Sequence, residues 1–305
     1  MVRVSNYALH TVSLANMQAV QSRLAEHNVA ISSGKVAQRY SGIAPESGRL
    51  VNLESLLQEL NQFKENNDLV DTRLQAMESA TSQMFDIASQ IRTQLVQTMN
   101  PGNAEVMPLN ELAQSLLEQV GSLLNTEHNG RHLFAGSKTN TPPVDLNAAG
   151  FLPPPAVPST ADTLYYQGDA TQLSTRADEN VTVNYGVTAD ETGFEELIRA
   201  LHIAANVTTA PVPDTNRINE ALRVAELAVN DIPPIIARIG GSRAALESAT
   251  KSHDDRMLYT QQTISDLENV DVTEAITLMS QDEITLEASF AMLAQMRSVS
   301  LLNFL

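Results

Sequence analysis

The stretch that decides the fold is residues 53–95, LESLLQELNQFKENNDLVDTRLQAMESATSQMFDIASQIRTQL. From Leu53 to Leu95 it contains a series of positions in alternating steps of three and four, of which only Asn67 and Thr81 are polar. This spacing keeps one seam of a helix facing a partner helix, as in a coiled coil. No Gly or Pro interrupts the seam before residues 100–102, Asn-Pro-Gly. The pattern predicts one long helix of roughly six heptads.

Asn67 allows two interpretations. A buried Asn in a heptad seam fixes register and partner number at some cost in stability. A seam that borders solvent at this point would make Asn67 an ordinary surface residue. The sequence alone leaves both interpretations open.

Shorter apolar stripes predict further helices. One runs from Ile218 to Ile239 and contains Pro233-Pro234, which predict a kink or a break. Another runs from Leu109 to Leu123, with Pro108 in or near its first turn. Both ends of the chain are also amphipathic. The stripe near the start includes His27, and the stripe near the finish (Ile276, Met279, Glu283, Leu286, Phe290, Leu293) includes Glu283.

The middle of the chain lacks a helical period. Residues 141–158 contain many of the prolines and predict an irregular loop. After it, residues 164–166, 172–175 and 181–185 favour two or three short strands separated by turns. We therefore predict a mainly α protein. Its N- and C-terminal halves form a long coiled-coil-like helical bundle, and a small β-rich insertion lies at its centre.

Composition excludes several classes of function. The formal net charge is -17, which disfavours nucleic acid and anionic lipid as partners. No apolar run reaches the length of a membrane span, so membrane insertion is not expected. The start of the chain lacks both the apolar segment and the cleavage site of a signal peptide, so we expect export by a route that recognises an uncleaved terminus. The chain has no cysteine, so it can form no disulfide and no thiol-based site.

Candidate catalytic and metal sites are weak. His128 and His132 stand four apart, but Asn129-Gly130 between them favours a turn, so a helical metal site is not expected. Asp254-Asp255 beside His253 fit a solvated helix face better than acid-base chemistry. No phosphate-binding loop or nucleophile motif is present in the sequence. We expect no enzyme activity, no cofactor and no metal.

Four segments resemble the flagellin superfamily. Residues 28–35, NVAISSGK, resemble the end of the family's first helix, and residues 67–78 resemble its long second helix. Residues 129–139, NGRHLFAGSKT, are similar to a motif of the family's hook–filament junction members. The closing SLLNFL of residues 300–305 matches the family's ending. Residues 36–48 depart from the family, because they lack its Asp-Asp pair.

The resemblance implies a three-part architecture. Residues 1–45 and 268–305 would be terminal helices that pair as an inner assembly domain. Residues 46–140 and 195–267 would form a helical core domain, and residues 141–194 the outer β-rich insertion. The implied function is a structural component of the bacterial flagellum that joins hook to filament by self-assembly through its terminal helices. The alternatives are a flagellin that forms the filament itself and, in another class, a secreted coiled-coil adaptor or translocator.

The assembly interface is predicted from the apolar residues near the two ends. A free monomer gains little from exposing them, so burial between subunits is expected. The implied partners are further copies in a ring or tube, a neighbouring hook-associated protein, flagellin and an export chaperone. The implied location is the extracellular flagellum at the hook–filament junction, reached through type III export. The predicted interface residues are Leu9, Met17, Leu24, Ile31, Leu286, Phe290, Leu293, Leu301, Leu302, Phe304 and Leu305.

Overall fold

A computed structural model describes residues 2–43, 45–99, 108–209 and 213–302, with side chains of Ala8 and of residues 10–295 within those ranges. The chain divides into two compact units, Met1–Glu59 with Arg256–Leu305 (the terminal unit) and Leu60–Asp255 (the central unit). Helices and short antiparallel sheets confirm the predicted fold class. The helices are α1 Val2–Ser33, α2 Ser47–Thr98, α3 Leu109–Leu124, α4 Thr192–Ala205, α5 Thr215–Glu268 and α6 Val272–Leu302, with a 3-10 turn at Tyr40–Ile43. The strands are β1 Glu127–His128, β2 Arg131–His132, β3 Ser174–Asp178 and β4 Val181–Asn184.

The long heptad of α2 is confirmed as one helix. Within the central unit its seam is the wall of the hydrophobic core, where Leu74, Met84 and Leu95 are fully buried. Thr81 satisfies its own buried hydroxyl by donating to the Met77 carbonyl at 2.7 Å. A polar residue is therefore tolerated in the seam without a partner from another helix.

The core of the central unit is completed by α3 packing on α4. The helix predicted from Leu109 to Leu123 is confirmed, and Pro108 precedes its first turn. The sequence interpretation did not single out α4, although Phe194, Leu197 and Leu201 are among its most buried residues.

Helix α5 is continuous through Pro233 and Pro234, so the break allowed for by the sequence is wrong. Each proline removes one backbone donor from the helix, at a cost of roughly 3 kcal/mol. The flanking Ile232 and Ile235 are buried in the core, and their packing offsets that cost. The carbonyl of Asn230, which loses its donor to Pro234, belongs to an exposed residue that water can reach.

The central insertion contains one antiparallel hairpin, β3–β4. The third predicted strand, residues 164–166, is wrong, because Tyr166 makes only an isolated bridge to Val144. The reason is that Tyr165 points its ring into the core and donates its hydroxyl to the Ala189 carbonyl at 3.0 Å. That anchoring replaces regular strand pairing.

The turn expected at Asn129-Gly130 joins a second hairpin, β1–β2. Both residues have positive φ, 52° and 71°, as the two-residue type I′ turn requires.

The segment Leu133–Lys138 fastens the insertion to the core. Phe134 is fully buried and meets Phe194 edge to face. Gly136 has φ of 65°, and a Cβ there would overlap the carbonyl of Asp169. The Asp169 carboxylate accepts hydrogen bonds from the Ser137 amide at 3.0 Å and the Ser137 hydroxyl at 2.5 Å. These bonds hold the pKa of Asp169 well below its ordinary range. The segment Leu133–Lys138 therefore has a structural role, since it holds the insertion against the core.

Candidate assembly surface

The two ends of the chain meet in the terminal unit, where α1 packs against α6. Lys35, just after α1, forms an isolated backbone β-bridge with Asn269, and Arg23 hydrogen-bonds to Asp282. Residue numbers therefore rise along α1 as they fall along α6. The helices are therefore antiparallel. The prediction that these two segments pair, although they are at opposite ends of the sequence, is confirmed.

The contact between α1 and α6 is a heptad seam on both helices. Each seam advances in alternating steps of three and four, the spacing that keeps one stripe facing a partner. Val20, Ala275 and Asp282 are buried in it, and the other members are half-buried. The seam positions are His10, Ser13, Met17, Val20, Leu24, His27 and Ile31 on α1, and Ala275, Met279, Asp282, Leu286, Ser289 and Leu293 on α6.

A charged cluster lies inside this seam. Arg23 donates from Nε to Asp282 Oδ2 at 3.1 Å and from Nη2 to Oδ1 at 2.7 Å. His27 Nε2 lies 3.7 Å from Oδ2. The hydrogen bonds from Arg23 and its charge, with a smaller contribution from His27, lower the pKa of Asp282. Only the carboxylate is buried, since the Arg23 side chain is 50% exposed at the edge of the seam. The pair still selects one register, because any other alignment leaves the buried carboxylate unpaired.

The sequence interpretation placed Glu283 in this seam, and that placement is wrong. Glu283 is exposed, and its neighbour Asp282 occupies the buried position. Ile276 and Phe290, assigned to the same stripe, are also exposed. The stripe read from the sequence mixed two adjacent heptad registers, of which only one faces α1.

The end of α1 is clamped to the connection between α5 and α6. Gly34 has φ of 72° and donates its amide to the Ala30 carbonyl at 2.8 Å, which closes the helix after Ser33. Val36 donates to the Glu268 carbonyl at 2.7 Å, and Val270 donates to the Gly34 carbonyl at 3.0 Å. The expectation that Ser-Ser-Gly closes the first helix is therefore confirmed.

Beyond the clamp, α6 begins with an aspartate cap. The Asp271 carboxylate accepts from the amides of Thr273 at 2.9 Å and Glu274 at 3.2 Å. These bonds satisfy two of the free donors at the helix start. The cap and the clamp together define where α6 starts relative to the end of α1.

Large apolar side chains remain exposed on the other faces of both helices. Ile284 and Met292 on α6 are 68% and 65% exposed, and Val12 on α1 is 56% exposed. A helix with apolar residues on every side is stable when it is buried on every side. The seam covers only one side of each helix, so the remaining faces form a surface suited to contact with other helices.

The predicted interface residues occupy different places on this pair. Five of them are half-buried in the seam: Met17, Leu24, Ile31, Leu286 and Leu293. Phe290 is exposed beside the seam. The side chains of Leu9, Leu301 and Leu302, and all of Phe304 and Leu305, lie outside the described part of the chain. Their role in assembly stays a prediction.

Sequence reasoning missed the pairing of Arg23 with Asp282. The available signal was an acid at a heptad position of an otherwise apolar stripe, one residue before Glu283. A single carboxylate at a seam position calls for a cation on the partner helix, and Arg23 is the cation near the matching position.

In the central unit, Asn67 is buried and donates from Nδ2 to the Ala177 carbonyl at 3.0 Å. The solvent-bordered interpretation of Asn67 is therefore wrong. His253 is also buried, stacks on Phe63, and contacts the same carbonyl through Nε2 at 2.8 Å. Ala177 lies at the irregularity in the β3–β4 register, between Arg176 and Asp178. The bulge turns its carbonyl toward the helices, so Asn67 and His253 anchor the hairpin there.

The candidate metal and acid-base residues have local structural partners. His132 is buried, with Nδ1 3.0 Å from the Asn125 carbonyl and Nε2 3.2 Å from Glu127. Asp254 pairs with Lys64 at 2.5 Å on an exposed surface. Within the described ranges, no group of three or more His, Asp or Glu residues is arranged to hold a metal ion. Within those ranges, no helix is both long enough and apolar enough to cross a membrane.

The chain belongs to the bacterial flagellin family. The family's N-terminal helical region matches residues 4–139, and its C-terminal helical region matches residues 222–305. These two regions include all of α2, α3 and α6, all but the first two residues of α1, and most of α5.

Among curated relatives, the chain is similar to flagellar hook-associated protein 3 of Escherichia coli K12, with 22% identity over 98% of each chain. Two solved structures share its fold. One is a putative flagellar hook-associated protein from Vibrio parahaemolyticus, with a TM-score of 0.56, 16% identity and coverage of 72% of this chain and 96% of that one. The other is flagellar hook-associated protein 3 from Legionella pneumophila, with a TM-score of 0.56, 15% identity and coverage of 71% and 98%.

Proposed function

We propose that this protein is a structural component of the bacterial flagellum that joins the hook to the filament. It self-assembles through its terminal helices into a ring or tube. The observation that carries the proposal is the α1–α6 pair, which buries one heptad seam and leaves apolar side chains exposed on its other faces. Family membership and the name of the Escherichia coli relative support the flagellar context.

The seam gives the assembly mechanism a starting geometry. Asp282 with Arg23 selects the register of the pair, and the clamp at Gly34 and Val270 closes one end of it. The exposed apolar faces then pack against neighbouring subunits, which supplies the driving force for association. The predicted interface residues at the two chain ends extend this surface.

The finer assignments form part of the same proposal. The protein leaves the cell through the flagellar type III route without a cleaved signal peptide, bound to an export chaperone until it is secreted. Its neighbours in place are another hook-associated protein and flagellin. The three-part division of the chain at residues 45, 140, 194 and 267 describes an inner assembly layer, a helical core and an outer insertion.

Deleting residues 300–305 tests assembly through the termini. The truncated protein should fail to incorporate into flagella, while the thermal unfolding of its central unit stays unchanged. The matched control is the full-length variant Leu152→Ser, which changes an exposed residue of the central unit and should incorporate normally. Normal incorporation of the truncated chain would refute the mechanism.

Copy number separates this proposal from its nearest alternative. A junction protein is a minor band that stays with the hook when flagella are sheared, whereas a filament flagellin dominates the sheared material. A secreted coiled-coil adaptor would be found in neither fraction.

A further inference from the structure

A groove runs between α1 and the loop that follows it. Its volume is about 540 Å³, and apolar side chains of Ala25, Val29, Val36 and Ala37 contribute to its lining. Val29 and Val36 are each about half exposed, at 49% and 47%. At 3.6 residues per turn, Val29 lies on the side of α1 opposite the seam with α6. The groove is therefore separate from the contact already described.

Three charged residues line this groove. Glu26 accepts a hydrogen bond from the Ser22 hydroxyl at 3.4 Å, and Lys35 pairs with Glu268 at 3.0 Å. Within the described part of the chain, the Arg39 guanidinium has no acceptor. The groove thus has apolar walls, a carboxylate on its helix side (Glu26) and, on its loop side, the guanidinium of Arg39, in a chain whose formal net charge is -17.

A complementary surface lies on α6, one residue beyond its seam. It is a second heptad stripe that keeps the alternating spacing of four and three, and all of its members are exposed. Ile276 and Phe290 are 46% and 49% exposed, and two acids stand between them. The stripe consists of Ile276, Ser280, Glu283, Glu287, Phe290 and Ala294.

We propose that the groove of one copy binds the second stripe of α6 from a second copy of this chain. Phe290 packs against Val29 and Val36, and Arg39 pairs with Glu283 and Glu287. Heptad continuity and charge complementarity at the loop side of the groove carry this assignment, since the stripe extends an existing helix-packing face and supplies two acids that can form the ion pair Arg39 does not make within the protomer. The assignment deepens the proposed function and rests on it.

The contact has a consequence for the assembly's symmetry. The groove and the stripe are different surfaces of the same protomer, so each copy offers one of each to its neighbours. Such a heterologous contact repeats head to tail and closes into a ring or continues as a helix. This is the kind of contact that a ring or tube requires.

Cross-linking tests the contact directly, because the natural chain has no cysteine. The full-length Ala37→Cys and Glu287→Cys variants are mixed and driven to assemble with ammonium sulfate, which strengthens apolar burial. Oxidation should give mainly covalent dimers of the mixed pair. The matched control pairs Ala37→Cys with Ala288→Cys, which is exposed but points about 100° away around α6. Equal dimer yield in both mixtures would overturn the proposal.

Charge reversal supplies a second test. Arg39→Glu should reduce assembly of the full-length chain, and adding Glu283→Arg with Glu287→Arg should restore it. Arg49→Glu is the control, since Arg49 lies outside the groove and contacts Glu46. Assembly of Arg39→Glu at the wild-type level, or cross-links that form only when another flagellar protein is added, would refute the contact between copies. Wild-type protein that assembles under no condition would refute the proposed function as well.

Discussion

Glu196 lies on α4 with a side chain only 5% exposed. Burial, followed by the nearby charge of Asp231 on α5, raises its pKa from 4.5 to about 7, and its carboxyl hydrogen-bonds that of Asp231. Its Oε2 atom is buried with no hydrogen-bond partner in the described structure. The other charged groups around it are Glu195 and Arg199 on α4 and Arg223 on α5.

The raised pKa has a defined sign for stability. Below pH 4.5 the carboxyl is protonated in both the folded and the unfolded chain, so it causes no penalty. Between pH 4.5 and pH 7 the unfolded chain ionises first, so stability falls as the pH rises. Above pH 7 the full penalty is present. It amounts to about 2–3 kcal/mol, since each pKa unit corresponds to about 1.4 kcal/mol and residual water access reduces the total.

Glu196→Gln removes this penalty while keeping a donor for Asp231. The variant should match the wild type at pH 4 and exceed its stability at pH 8 by about 2 kcal/mol. For a unit of this size that is a rise in Tm of about 4–8 °C. The assay is thermal unfolding by circular dichroism at both pH values, with exposed Glu247→Gln as the control. A Tm difference that does not change with pH would refute the reasoning.

Three further predictions concern other contacts. Gly136→Ala should destabilise the central unit by more than about 2 kcal/mol in urea unfolding, because the added Cβ would overlap Asp169. Gly130→Ala, which has open space around it, should cost only about 1 kcal/mol, and equal costs for the two variants would contradict this reasoning. Either Asn67→Ala or His253→Ala should lower the free energy of unfolding by about 1–3 kcal/mol. The double variant should lower it by more than the sum, because the buried Ala177 carbonyl then loses both partners, and an additive double-mutant cycle would argue against a shared anchor. Asp282→Ala should lower the protection factors of the α1 amides in hydrogen exchange, and acidification below the lowered pKa of Asp282 should do the same, because each removes the stabilising pair with Arg23. Exposed Glu283→Ala should have little effect, and identical protection factors in the two variants would show that Asp282 does not select the register.

The long helices could be predicted from the sequence because their signal is local. The seam of α2 depends only on residues three and four apart, and it is uninterrupted from Leu53 to Leu95. The pairing of the two chain ends could be predicted for a similar reason, since both ends carry amphipathic heptads. Family resemblance added the order of the parts.

Other features depend on distant residues and could not be predicted. The acceptor for Asn67 is the carbonyl of Ala177, which is 110 residues away and is exposed to that side chain by a bulge in β3. Continuity of α5 through Pro233 depends on core packing of Ile232 and Ile235, which overrides the local preference to break. On α6, two adjacent registers both contain apolar residues, so only the position of α1 decides which of them is buried.

Immunogold labelling of intact flagella tests the central claim most directly. An antibody against the central unit, applied to cells that carry the full-length protein, should label one narrow band where the hook meets the filament. Cells with the chain shortened by residues 300–305 should show no band. Gold particles along the whole filament, or a normal band with the shortened chain, would contradict the account.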